Sequence, residues 1–294
     1  MRWRSVLLGG VVLGGCCWVA TTFASVCGPA DETQDVELYD GGRGLSKEQV
    51  FRWQAATGQL RWNSSFIPPL TAEDDPGNLL GVRWCTGTLF SEKLFLTAGN
   101  CFDASAGGWS TPARRVGNSF VPLPPQELAP LTHVNFNLQR DTTTCATPTD
   151  PRTCAVRKPD SYPVVRLLEY RRGNLNYAIL ELGAGADGQL PGQRYNPANL
   201  DSSSAALAQA KLLAIIQHSG GGPKRVGIGT QLRISNDRIS YGDIDTFGGS
   251  GGAGILDQSG RLVGLHTNGG CDVTGGENWG ITVRAVSEVS DIIR

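Results

Sequence analysis

Excess charge is what this 294-residue chain most clearly lacks: 26 Lys and Arg face 27 Asp and Glu, for a net charge of -1. Nucleic acids and anionic membrane surfaces select for a cationic excess, so neither is an expected partner. Charged residues of both signs make up only 18% of the chain, while Gly (39) and Pro (16) are plentiful. That composition argues against a helical protein and for a loop-rich all-β one. No cysteine pair has the CxxC spacing of a zinc site, and neither a metal nor a cofactor is expected. Histidine is scarce: His133, His218 and His266 are the only three. No internal repeat is present, and beyond the first 24 residues no apolar run is long enough to cross a bilayer. The length suits one large or two small domains with a real core.

The N-terminus is where apolar residues do gather. Met1-Arg-Trp-Arg precedes an apolar, small-residue run that ends at Thr22-Phe23-Ala24. A basic start, an apolar centre and a small-residue exit are the marks of an export signal, so residues 1–24 are read as one, with secretion to follow. Leu13-Gly-Gly-Cys16 also fits a lipoprotein box, which would anchor the chain through Cys16; the apolar residues 17–20 argue against it. An uncleaved anchor ranks third. Of the eight cysteines, Cys16 and Cys17 lie in the signal. The remaining even number, in an exported chain, points to disulfides. Cys145 and Cys154 enclose a Thr/Pro-rich loop and are expected to pair locally.

Residues 25–78 are acidic and aperiodic at their start and read as an N-terminal arm, pinned by Trp53 and Trp62. β-rich runs flank a turn at 91–93, a hairpin signal. Residues 103–165 read as loops with short strand-like pieces. A strand pair spans 164–182, a Pro- and Ser-containing connection spans 183–210, and strands resume from Lys211. Asp245–Gly264 reads as Gly-rich turn, strand, hairpin, strand. Consecutive glycines let the backbone fold tightly and aim its N–H groups at one point. Val286–Ile293 reads as a short closing helix.

Four stretches carry a family resemblance. Asp245-Thr-Phe-Gly-Gly-Ser-Gly-Gly-Ala-Gly254 resembles the nucleophile loop of chymotrypsin-like serine proteases, most closely the bacterial trypsin-like and glutamyl endopeptidase branch. There the pattern is Asp-Thr-x-Gly-Gly-Asn-Ser-Gly-Ser-Pro, and its serine falls on Gly251. Cys85-Thr-Gly-Thr-Leu, running to Leu-Thr-Ala-Gly-Asn-Cys101, resembles the segment in which two cysteines bridge and a histidine before the second is the general base. The resemblance implies a Cys85–Cys101 disulfide and puts Asn100 at the base position. Leu175-Asn-Tyr-Ala-Ile-Leu-Glu-Leu182 resembles Leu-Asp-Tyr-Ala-Leu-Leu-x-Leu, with Asn176 where an aspartate orients the histidine. Ile215-Ile-Gln-His218 also resembles a family strand, which makes His218 structural. Cys27 and Cys271 are then most simply paired with each other. The resemblance runs from about Cys85 to the C-terminus. It implies an all-β fold of two six-stranded antiparallel barrels of the chymotrypsin type with a short C-terminal helix. The barrels would occupy 79–190 and 191–294, behind the signal (1–24) and arm (25–78).

The triad works because an imidazole takes the serine proton and a carboxylate holds the imidazole. An amide takes up no proton near neutral pH, and glycine has no hydroxyl. With Asn100, Asn176 and Gly251 at the three positions, the implied function is that of a secreted, catalytically inactive peptidase homologue. Two neutral amides can satisfy each other, whereas a leftover aspartate would be a costly unpaired charge. Backbone N–H groups of Gly249 and Gly251 match the family's oxyanion hole, and Thr246 and His266 match its pocket for acidic side chains. The expected partner is therefore a peptide or protein in the inter-barrel cleft. One alternative keeps activity through Ser250, since Gly248-Gly-Ser-Gly-Gly252 matches G-x-S-x-G. That motif needs a strand–turn–helix setting, and a hairpin follows here; a base would have to come from His133, His218 or His266. A scaffold or decoy that leaves the cleft idle is the other alternative.

Overall fold

The computed structural model describes residues 25–103, 108–147, 150–235 and 237–294. The signal reading and the Cys16 alternative fall outside them. In the first barrel the strands are β1 (Thr57–Trp62), β2 (Arg83–Leu89), β3 (Leu94–Thr97), β4 (Thr132–Phe136), β5 (Asp160–Arg171) and β6 (Tyr177–Leu182). They close in the order β1-β2-β3-β6-β5-β4, every pair antiparallel. β7 (Leu212–Gln217), β8 (Arg225–Ile234), β9 (Arg238–Tyr241), β10 (Gly254–Asp257), β11 (Leu262–Asn268) and β12 (Asn278–Thr282) form the second. Its antiparallel pairings close the ring β7-β8-β9-β12-β11-β10. A short helix, Val283–Ser287, follows β12; it begins three residues before the expected helix at 286 and ends well before 293. Thr282 caps it, accepting from the Ala285 N–H.

Strands that face both a barrel interior and the other barrel have no polar side to show. Every residue of β6 is buried. Ala178, Leu180 and Leu182 fill the first barrel with Phe95, Val134 and Phe136. Tyr177 and Ile179, on the alternate face, pack with Ile216, Val226, Leu256 and Leu265 of the second. β7 repeats the device: Leu213 and Ile215 point into the second barrel, and Ala214 and Ile216 toward the first. A period of 2 with both faces apolar reads in sequence as the continuous runs around 178–182 and 212–216. Glu181 alone breaks the run in β6, and its carboxylate is met by Lys93 and Arg166.

The first barrel begins earlier than residue 79. β1 lies inside the stretch read as an arm, paired with both β2 and β4. Trp62 is 1% exposed and belongs to the barrel core. The Gly-rich and acidic residues around this six-residue strand hide its alternation. What remains of the arm wraps the second barrel: Gln34–Asp35 adds to the edge of β8, and Ser25 forms a bridge with Thr246. A helix, Lys47–Trp53, starts at a capping box of Ser46 and Gln49. Disulfides join Cys27–Cys271, Cys85–Cys101 and Cys145–Cys154.

Under the arm lie a buried lysine and a half-buried glutamate. Lys224 is 1% exposed, and its Nζ donates to the Gln54 carbonyl and Oε1 at 2.7 Å each. Burial pushes it down to about 7 despite the attraction of Glu37. Burial pushes Glu37 up to about 7, and neither of its carboxylate oxygens has a hydrogen-bond partner.

Candidate functional site

The Gly-rich loop before β10 belongs to the second barrel but is clamped onto the first. Thr86 of β2 donates its N–H to the Gly251 carbonyl (2.9 Å) and its hydroxyl to the Gly249 carbonyl (2.7 Å). Gly252 sits so tightly there, at φ +90°, that a Cβ would lie 2.2 Å from the Thr86 carbonyl oxygen and 2.3 Å from Thr97 Oγ1. Gly251 next to it is open. A Cβ there would meet nothing nearer than Cys85 Sγ, at 4.0 Å.

Within this loop the N–H groups divide into used and unused. Ser250 donates to the Phe247 carbonyl, Gly252 to that of His266 and Ala253 to that of Ser250. No acceptor is found among the described residues for the N–H of Gly248, nor for those of the pair Gly249 and Gly251. These are the two donors expected to form an oxyanion hole. Both residues are half-buried.

Across the interface, Asn100 stands on the 3₁₀ turn Gly99–Phe102 that follows β3, and Asn176 stands just before β6. The structure brings them together. Asn176 Nδ2 donates to Asn100 Oδ1 at 3.2 Å, and the Asn100 N–H donates to Asn176 Oδ1 at 2.9 Å. Arg172 completes the group: its Nη1 donates to Asn176 Oδ1 at 2.7 Å, and its Nε and Nη2 grip Asp103 at 2.6 Å each. Sequence reasoning missed Arg172 and Asp103. Neither falls in a motif, and their meeting depends on a turn and a strand end 69 residues apart.

Ser250 is fully buried, and its Oγ accepts the Phe247 N–H at 3.0 Å. Its hydroxyl is thus turned into the loop's own backbone. The His133 ring bonds Asn63 Oδ1 through Nδ1 (2.8 Å) on the first barrel. His218 Nδ1 lies 2.9 Å from the Gly222 carbonyl, in the turn after β7. His266 is 4% exposed and bonds the Tyr241 hydroxyl through Nδ1. Burial drives His266 down to about 4, so the ring is neutral at physiological pH. Thr246 is also buried, its backbone exchanging hydrogen bonds with Ser25 at 2.8 and 3.1 Å. Ser25 was not anticipated at this place; its Oγ accepts from the N–H groups of Gly270 and Cys271. Among the described residues, no group of three or more His, Cys, Asp or Glu is placed to hold a metal. A separate cavity of about 260 Å³, lined in part by Arg52, Trp53, Thr88 and Asn199, contains none of the candidate site residues.

Comparison with known proteins bears on both barrels. The family model of the trypsin-like peptidase domain matches residues 85–265. Among solved structures, a Glu endopeptidase in complex with MPD superposes with a TM-score of 0.52 at 16% identity, over 89% of this chain and 95% of that one. A serine endoprotease from Yersinia pestis gives a TM-score of 0.50 at 11% identity, over 84% of this chain and 65% of that one. At such identities the likeness extends to the fold alone. No match is found among curated protein sequences.

Proposed function

The chain belongs to the trypsin-like peptidase family, and from that premise we propose that it is a catalytically retired member whose inter-barrel groove binds peptide. The observation that carries this is the pair of N–H groups on Gly249 and Gly251, which have no acceptor among the described residues and belong to a loop left open at Gly251. A turn that keeps such donors free is suited to hold a ligand oxygen. The bonded amides of Asn100 and Asn176 support the loss of chemistry, because they replace a proton relay with a neutral, self-satisfied contact. Removing triad members from such enzymes leaves only about 10³–10⁴-fold acceleration over water. Export fits the three disulfides, which persist in oxidising compartments.

Activity through Ser250 is disfavoured by its burial and by its bond to the Phe247 N–H. Labelling by a fluorophosphonate probe, lost on Ser250→Ala, would restore that alternative. A pocket for acidic side chains is a finer reading. A Tyr241 hydroxyl that donates to His266 Nδ1 leaves the proton on Nε2, making the neutral ring a hydrogen-bond donor. Glu-terminated peptides should then bind more tightly than Gln-terminated ones; equal affinities would end the idea. The decisive experiment on retirement is Asn100→His, Asn176→Asp, Gly251→Ser in one chain. Recovered peptide cleavage, absent from the parent, is the expected result, and cleavage by the parent itself would refute retirement. Partner binding that survives Gly251→Trp would favour a scaffold acting outside the groove.

A further inference from the structure

The retired site is not simply a protease site with parts removed, because the substitutions leave a particular set of donors. Arg172 sets their polarity. Its guanidinium and the Asn100 N–H can only donate, and both point at the same atom of Asn176, which must be Oδ1. Asn176 therefore turns its Nδ2 toward Asn100, and Asn100 must answer with Oδ1. That leaves Asn100 Nδ2 as a donor with no acceptor among the described residues. Asn100 adjoins Cys101, whose disulfide partner Cys85 supplies the atom nearest to the open face of Gly251. Gly251 and Asn100 thus both neighbour the Cys85–Cys101 disulfide, and the donors available on this side of it are the N–H groups of Gly249 and Gly251 and the Asn100 amide. No carboxylate is among them, since Asp103 is held by Arg172.

A carbonyl inside a peptide offers one oxygen, which suits the two backbone donors and leaves the Asn100 amide idle. A terminal carboxylate offers two oxygens and about four acceptor sites. Its second oxygen needs space where a serine hydroxyl would stand, and Gly251 provides that space. Hydrogen bonds to a charged acceptor are also about twice as strong as neutral ones. We propose that the groove takes the free C-terminal carboxylate of a peptide, so that the ligand has the chemistry of a cleavage product and not of a substrate. This rests on the peptide-binding reading of the same groove.

The test is calorimetric titration of the full chain with acetyl-Ala-Ala-Pro-Xaa, where Xaa is Glu, Gln, Leu or Phe. Each peptide is used as the free acid and as the C-terminal amide. The acid should bind about tenfold or more tightly than its amide, whichever Xaa binds best. Asn100→Asp keeps the oxygen that meets Asn176 but exchanges the free donor for a negative charge. It should abolish the preference for the acid while leaving the melting temperature near that of the parent. Gly251→Ser should shrink the preference by refilling the vacated volume. Equal affinities of acid and amide, both lost on Gly251→Trp, would overturn this inference and keep the peptide groove. No saturable binding by any peptide of the set would overturn both.

Discussion

Asn176 is the residue whose removal should reveal how much the Asn100–Asn176 amide pair contributes to stability. It is 7% exposed and makes three hydrogen bonds, so Asn176→Ala strands the Asn100 N–H, the Asn100 side-chain Oδ1 and one Arg172 nitrogen. Net values of about 0.5–1.5 kcal/mol apply to each neutral bond. The Arg172 bond is discounted, because its side chain is 39% exposed and keeps Asp103. The sum is about 2 kcal/mol, or roughly 3–4 °C in melting temperature for a 294-residue chain. Asn100→Ala loses only the side-chain bond and keeps its backbone N–H in place, so about 1 kcal/mol or less is expected. Urea unfolding followed by tryptophan fluorescence, with equal m-values, measures both. The reasoning fails if Asn100→Ala is as costly as Asn176→Ala, or if Asn176→Ala changes stability by less than about 0.5 kcal/mol.

Adjacent glycines should behave oppositely. Gly252→Ala drives a Cβ to 2.2 Å from a carbonyl oxygen and should cost more than about 4 kcal/mol or abolish expression, whereas Gly251→Ser should stay within about 1 kcal/mol of the parent. Glu37 holds its proton in the fold up to about 7 against a usual 4.5, so its contribution to stability is present below 4.5 and is lost as pH rises through 7. Glu37→Gln should therefore stabilise the protein more at about pH 8 than at about pH 5, by ~1–2 kcal/mol after allowing for its partial exposure; a gain independent of pH would refute this. His266 shifts the other way: its folded value of about 4 lies below the usual 6.5, so stability falls as pH drops from 6.5 through 4. His266→Gln should flatten that acid limb in thermal melts. His133, also lowered to about 4 by burial and by Arg61, adds a second drop of the same sign that the variant leaves in place.

Local chemistry wrote much of this protein into its chain. Apolar runs at 178–182 and 212–216 mark strands buried on both faces, and the turn residues between strands set the rhythm of two barrels. The motif around Cys85 and Cys101, and the even cysteine count, made the disulfides legible. Asn100, Asn176 and Gly251 stood out in the sequence because the residues around them resemble the family's pattern. The meeting of the two amides followed from neutrality and the need to satisfy buried polar groups. Only the tertiary structure decided the rest. It drew Thr57–Trp62 from the arm into the barrel, since a strand of six residues is assigned by its partners and not by its own alternation. It set Arg172 beside Asn176 and Asp103, buried His266 until its ring is neutral, and left the Gly249 and Gly251 amides without acceptors among the described residues. Each of these depends on distances between residues far apart in sequence. A chain can specify what a side chain is able to do, but its protonation, its partners and its unused donors are fixed only when the surrounding backbone closes over it.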